Sequence, residues 1–319
     1  MDIHMAKRTL GTSSLAFEPI VFGGNVFGWT ADETTSFSLI DRFVERGFAL
    51  IDTADVYSIW VPGHHGGESE TIIGKWLARG GARDKILIAT KVGMDMQAGG
   101  KGLSKSHITA SVEASLRRLK TDYIDLYQAH ADDASVPLEE TLETFASLVA
   151  AGKVRVIGAS NYEAPRLAEA LAVSKAKGLP RFVSLQPHYN LANRTLFEGA
   201  LQDLCVAEGL GVIPYYSLAS GFLTGKYRST DDVAGRARGR GVAQYLDPHG
   251  FKLLAEIDKV AADFSATPAQ ISLAWLLCQP AITAPIVSAT SLVQLDEILD
   301  ATKLVLDAEA LARLDKASR

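Results

Sequence analysis

The stretch Glu18-Pro19-Ile20-Val21-Phe22-Gly23-Gly24-Asn25-Val26-Phe27-Gly28-Trp29, EPIVFGGNVFGW, decides between two architectures. Ile20 to Phe22 reads as a short buried strand. An open doubly wound sheet that binds a dinucleotide carries the glycine fingerprint GxGxxG directly after its first strand. Here the strand is followed by GGNVFGW, which does not fit, and no other strand-helix junction carries the fingerprint. That favours the closed alternative.

Outward from this strand, seven more β-rich runs follow: Ala49 to Thr53, Ile86 to Val92, Ile124 to His130, Val154 to Ser160, Phe182 to Gln186, Gly211 to Tyr216 and Ala284 to Ala289. Between them lie helical patterns, for example Lys105 to Leu119, Leu138 to Ala150 and Pro165 to Ala176, with apolar residues at three- and four-residue spacings. Strand then helix, repeated, implies parallel pairing through right-handed crossovers. Eight such units close into a (β/α)8 TIM barrel. The segment KRTLGTSSLAFEP reads as a β-hairpin turning at Gly11-Thr12 and placed to plug the barrel floor. Pro268 starts the helix TPAQISLAWLLCQ at its first turn. With no internal repeat and no linker, residues 1–319 read as one domain, Met1 to His4 being a remnant ahead of Met5.

The chain has 319 residues, 47% of them hydrophobic, enough for a large core. A formal net charge of -5 supplies no global field for nucleic acid. No apolar run approaches a membrane span, and the N-terminus has no apolar signal region. Cys205 and Cys278 lack any metal-binding or redox spacing. The expectation is a soluble cytoplasmic protein with no membrane or nucleic-acid partner. Its oligomeric state is unwritten in the sequence.

Two loops are long: the one after Tyr57, and the one from about Ser217 to His249, which contains GRARGRG (Gly235 to Gly241). Loops that follow barrel strands build the active site. The strand ends present Asp52, then Tyr57 five residues on, then Lys91 and His130. An acid, a phenol, an amine and an imidazole thus converge from three neighbouring strands. They suit proton transfer to a carbonyl oxygen. A tyrosine, with a reference pKa of about 10, keeps its proton at neutral pH. The Lys91 cation is expected to stabilise the phenolate and lower that value, Asp52 to hold the lysine, and neutral His130 to orient the substrate oxygen. Such a site supplies no electrons, so a hydride donor is required.

In the contexts IDTADVY, ATKVG and DLYQAH, this quartet resembles the catalytic tetrad of the aldo-keto reductases, the branch with potassium-channel β-subunit-like reductases included. GESETIIGKWL (Gly67 to Leu77), GKVRVIGASNY (Gly152 to Tyr162), SLQPHYN (Ser184 to Asn190) and YYSLASGFLTGKY (Tyr215 to Tyr227) extend the resemblance over nearly the whole chain. It implies an extended nicotinamide cofactor bound without a Rossmann fold, with Tyr57 as general acid in reduction and general base in oxidation. It further implies that Ser160, Asn161 and Gln186 bind the nicotinamide carboxamide, that Tyr216 stacks on the ring, and that Ser217, Leu218, Ser220, Gly221 and Leu223 cover the pyrophosphate.

At the adenosine end the resemblance implies Ser288, Thr290, Gln294 and Glu297. Ser288 and Gln294 stand where many members are basic, and no Lys or Arg lies between Pro285 and Glu297. Family habit implies NADP (NADPH), with NAD as the alternative and the loop arginines Arg236, Arg238 and Arg240, Arg238 foremost, as compensating cations. GFLTGKY half-resembles a P-loop but has the wrong spacing, and tyrosine where serine or threonine belongs.

The substrate wall is expected from Phe27, Trp29, Trp60 and Met94, and Met96 beside them, for a bulky, partly hydrophobic carbonyl or alcohol. Ser58 to Gly66 reads as an insertion relative to many members. Three rival readings are a metal-dependent hydrolase using His64, His65, His130 and Asp52, a cofactor-binding regulatory subunit with little turnover, and an NAD(H)-preferring sugar or secondary-alcohol dehydrogenase. Adjacent histidines point in different directions and no HxH or HExxH supports the first, so no metal is expected.

Overall fold

The computed structural model describes residues 6–319, so the remnant expected at Met1 to His4 lies outside the described residues. Strands β1 (Arg8–Thr9) and β2 (Ala16–Phe17) pair antiparallel around the predicted turn. Eight strands follow: β3 (Val21–Gly23), β4 (Leu50–Asp52), β5 (Leu87–Val92), β6 (Ile124–Ala129), β7 (Val154–Ser160), β8 (Phe182–Gln186), β9 (Gly211–Val212) and β10 (Ile286–Val287). All pair parallel, in the order β10-β3-β4-β5-β6-β7-β8-β9. The ring closes where Thr283 N donates to Val212 O at 2.8 Å and Ile286 N donates to Pro214 O at 2.9 Å.

β9 stops well short of the expected Tyr216. Pro214 has no N–H for a ladder, and Tyr216 adopts a left-handed φ of 52°. The helices Lys105–Leu119 and Leu138–Ala150 have the expected bounds, and Ala164–Lys177 extends one residue beyond them at each end. Pro268 opens its helix behind a Thr267–Gln270 capping box, which satisfies two otherwise orphaned N–H groups. Gly74, inside the helix Glu68–Ala78, permits a close helix crossing. A Cβ there would lie 2.0 Å from the Arg118 carbonyl oxygen.

The core has two layers. The larger lies between the sheet and the helices. The smaller fills the barrel's lower interior, where Leu10, Leu15 and Phe17 of the hairpin pack on Val21, Leu50, Ala89, Leu126 and Ile213. The hairpin therefore plugs the floor. The upper interior is polar, with Asp52, Lys91, Gln128 and Gln186 all buried.

A second buried polar cluster lies outside the wall, under the helices Glu68–Ala78 and Lys105–Leu119. Glu70 accepts from the Thr90 hydroxyl at 2.6 Å and from Arg118 Nε at 2.7 Å. Asp55 is buried beside them, and neither of its oxygens makes a well-formed hydrogen bond. Burial first, and then the nearby Glu70 carboxylate, push its carboxyl up to about 8 against the opposing pull of Arg118 and Lys91. An acid raised in the folded state costs stability as pH climbs from the unfolded value, about 3.9, to the folded one. Asp55→Asn should therefore melt several degrees above wild type at about pH 7, and the gap should close near about pH 4. Thermal melts across pH check this; a pH-independent difference would contradict it.

Candidate active site

β4 delivers Asp52 to the open end of the barrel. The following turn stays tied to β5, with Thr53 N donating to Ala89 O at 2.8 Å and Asp55 N to Lys91 O at 3.2 Å. Tyr57 is thereby brought over Lys91. On β5, Ala89 and Lys91 share the inward face by the two-residue period of a strand. Lys91 has no exposed surface, and its Nζ meets three acceptors: Asp52 Oδ2 at 2.6 Å, Thr53 O at 2.8 Å and Tyr57 Oη at 3.1 Å. An ammonium has three protons to donate, so the group is fully satisfied.

His130 continues β6, its N–H donating to Val92 O at 2.8 Å. Its ring stands 5.9 Å from that of Tyr57, and its buried Nδ1 has no hydrogen-bond partner. The four predicted residues are together.

Their protonation departs from expectation at one point. Burial raises the Tyr57 pKa, and that effect outweighs the lowering by Lys91. The predicted depression is therefore not found: a desolvated phenolate costs more than one shared ammonium returns. For Lys91, burial pulls downward, but Asp52 and Tyr57 overcome it and the net shift is upward. His130 is driven well below its ordinary value, by burial first and then by the Lys91 cation. At neutral pH the rim thus holds a protonated phenol, an ammonium and a neutral imidazole.

Around the tetrad, Gln186 Nε2 donates to Asp52 Oδ1 at 2.9 Å. Ser160 Oγ donates to Gln186 O at 2.9 Å. Asn161 Nδ2 donates to His130 O at 2.9 Å, and its Oδ1 accepts from Tyr215 Oη at 2.8 Å. Tyr216 leaves about half its surface exposed, 49%, so one ring face is open for stacking. Beyond it, Ala219, Ser220 and Gly221 take positive φ in succession. Within this turn Ala219 N donates to Tyr216 O at 2.7 Å and Gly221 N to Leu218 O at 2.8 Å, so both N–H groups are spent on the backbone. Ser217 and Leu223 are buried beneath this turn. Lys226 and Arg238 stand nearby, and no carboxylate forms an ion pair with either among the described residues. The pKa of each is lowered, chiefly by burial.

The two long loops meet over the site. The Trp60 ring is 5.6 Å from that of Tyr57 and 5.6 Å from that of Trp29. The Arg238 guanidinium lies 5.6 Å from the Trp29 ring centroid, with Nη2 buried and unpartnered. Glu68 clamps the inserted loop at both ends, accepting from Ser58 N at 3.1 Å and His65 N at 2.7 Å. His64 Nδ1 pairs with Ser58 Oγ at 3.0 Å. No group of three metal-binding side chains gathers among the described residues. Met94 is exposed at the mouth. Phe27 is fully buried edge-on to Phe22, in the outer core and away from the expected substrate wall.

At the exit of β10, Ser288 Oγ donates to Asn25 Oδ1 at 2.7 Å. Ser291 caps the helix Leu292–Asp300, and Thr290 gives both its N–H and its hydroxyl to Gln294 Oε1. Glu297 lies one turn further on, its backbone oxygen accepting from Gln270 Nε2.

Sequence reasoning missed Gln128, Tyr215, Lys226, Asn25 and Glu68. Gln128 had a usable signal, lying two residues before His130 and so on the same inward face. Glu68, three residues after His65, had the spacing of a local turn. Asn25 and Tyr215 act through partners distant in sequence.

The chain matches the aldo/keto reductase family over residues 19–319. It is 34% identical to the uncharacterized oxidoreductase YrpG of Bacillus subtilis, covering 98% of this chain and 95% of that one. It is 32% identical to protein tas of Escherichia coli, over 98% and 97% of the two chains. Norsolorinic acid reductase of Aspergillus flavus is 31% identical over 97% of this chain and 80% of its own.

Proposed function

We propose a carbonyl–alcohol oxidoreductase with Tyr57 as its proton-transferring group, on the premise that the chain belongs to the aldo/keto reductase family. By family it is an NAD(P)-dependent oxidoreductase of carbonyl compounds. The observation that carries the finer reading is the three-way bonding of Lys91 to Asp52, Thr53 and Tyr57 in a buried site.

In reduction, Tyr57 gives its proton to the carbonyl oxygen as negative charge develops there, and in oxidation it takes that proton back. Lys91 lies 3.1 Å from the phenol oxygen and stabilises the phenolate left behind. Asp52 keeps the ammonium charged and in place. His130, held neutral, offers the substrate oxygen a hydrogen bond and no competing charge. When bound, the nicotinamide supplies the hydride.

The residues present fit that group. Gln186 spends its amide N–H on Asp52, which leaves its carbonyl oxygen for a carboxamide. Ser160 and Asn161 flank it, and Tyr216 offers an open ring face. Lys226 beside Gly221, whose missing side chain leaves room for close approach, and the unpartnered Arg238 Nη2 suit a pyrophosphate. Trp29, Trp60 and Met94 favour a bulky, partly hydrophobic substrate. We place the enzyme in the cytoplasm, working as one barrel domain, in keeping with two unpaired cysteines. A regulatory subunit with little turnover is the second reading; it rests on the same cofactor site and is separated by turnover.

Tyr57→Phe should lower turnover about 10²- to 10⁴-fold while nicotinamide binding stays within about threefold. Near-wild-type turnover would sink the mechanism. Because the phenol pKa is raised, reduction in the wild type should be flat from roughly pH 6 to pH 9, and oxidation should rise with pH. Trp60→Ala should shift kcat/KM between large and small carbonyls by about tenfold and leave cofactor affinity alone. The reverse pattern would return Trp60 to a packing role.

A further inference from the structure

We infer that the adenosine end of this site rejects a 2′-phosphate, so that the protein binds NAD(H) at least as tightly as NADP(H). The inference rests on the oxidoreductase reading for the course of the cofactor. With the nicotinamide over Tyr216 and the pyrophosphate at Ala219 to Gly221, both just beyond β9, the neighbouring strand exit is that of β10. The helix Leu292–Asp300 begins there.

A 2′-phosphate brings close to two negative charges. Taking it out of water requires cations or several charge-assisted hydrogen bonds. This exit holds neither. No Lys or Arg lies between Pro285 and Glu297. Its polar side chains make neutral local contacts: Ser288 on Asn25, Ser291 on the helix N-terminus, Thr290 on Gln294.

The cations packed directly against this helix are already committed, while Arg236 and Arg240 of the loop after β9 stand exposed to solvent. Arg42 and Arg46 bind Asp296 at 3.0 Å and 2.5 Å, and Arg46 also binds Asp300 at 2.6 Å. Lys303 binds Asp300 at 2.7 Å. Glu297 forms no ion pair among the described residues, which adds a negative charge one turn along.

Arg238 does not compensate, because it lies over Trp29 and interacts with Tyr216 and Tyr227, at the nicotinamide and pyrophosphate end. What remains is the helix N-terminus, worth roughly half a charge. That suits a ribose hydroxyl. Among the described residues Gln294 bonds through Oε1 and its backbone N–H, not through Nε2, and a 2′-hydroxyl can both accept from such a donor and donate to a carboxylate.

The test is isothermal titration of the full-length protein with NAD+, NADP+, ADP and 2′,5′-ADP. NAD+ should bind as tightly as NADP+ or more so, and 2′,5′-ADP should gain nothing from its 2′-phosphate. Ser291→Arg, read against Ser291→Ala to remove the lost cap from the comparison, should tighten NADP+ by about tenfold and leave NAD+ unchanged. NADP+ binding about tenfold tighter than NAD+ in the wild type, or an arginine without selective effect, would overturn the inference and leave the oxidoreductase reading standing. Binding of neither dinucleotide would overturn both.

Discussion

An ammonium with no exposed surface can persist in a protein interior only when its charge and its three protons are all answered. Lys91 meets that condition through Asp52, the Thr53 carbonyl and Tyr57. The answer is distributed. Asp52 also accepts from Gln186 and Gln128, so side chains from β4, β5, β6 and β8 are drawn to one carboxylate. Losing either member of the central pair would strand a buried charge, a change that typically costs about 3–5 kcal/mol. The same contact that positions the Tyr57 phenol therefore helps to hold the upper barrel together.

The wall that separates the two buried polar clusters is one strand thick. Asp52 and Asp55 lie three residues apart on the same connection, yet they occupy opposite environments. Asp52 faces inward onto a cation, and Asp55 faces outward toward the carboxylate of Glu70. What divides them is the alternation of a strand and the turn that follows it. A satisfied ion pair lies on one side, and a carboxyl that burial holds toward its neutral form lies on the other.

Much of this was legible in the chain because polar residues at the ends of apolar runs are conspicuous. Asp52, Lys91 and His130 each interrupt such a run, and the hairpin announced itself by its turn residues. What stayed hidden depended on contacts between distant segments. The shift in the Tyr57 pKa is a balance of burial against charge, and the presence of Lys91 alone says nothing of which side wins. Phe27 and Trp29 are both large aromatics after β3, but packing on Phe22 takes the first into the core and leaves the second at the mouth. Arg238 looked like one cation among several in a basic loop. Its place over Trp29 emerges only when residues about two hundred positions apart meet.

The hairpin under the barrel has one more consequence. With Leu10, Leu15 and Phe17 seated against the strand starts, the barrel is a well with one doorway. Everything that enters must leave by the way it came. The floor is thus closed by a short hairpin that stands apart from the polar residues at the open end.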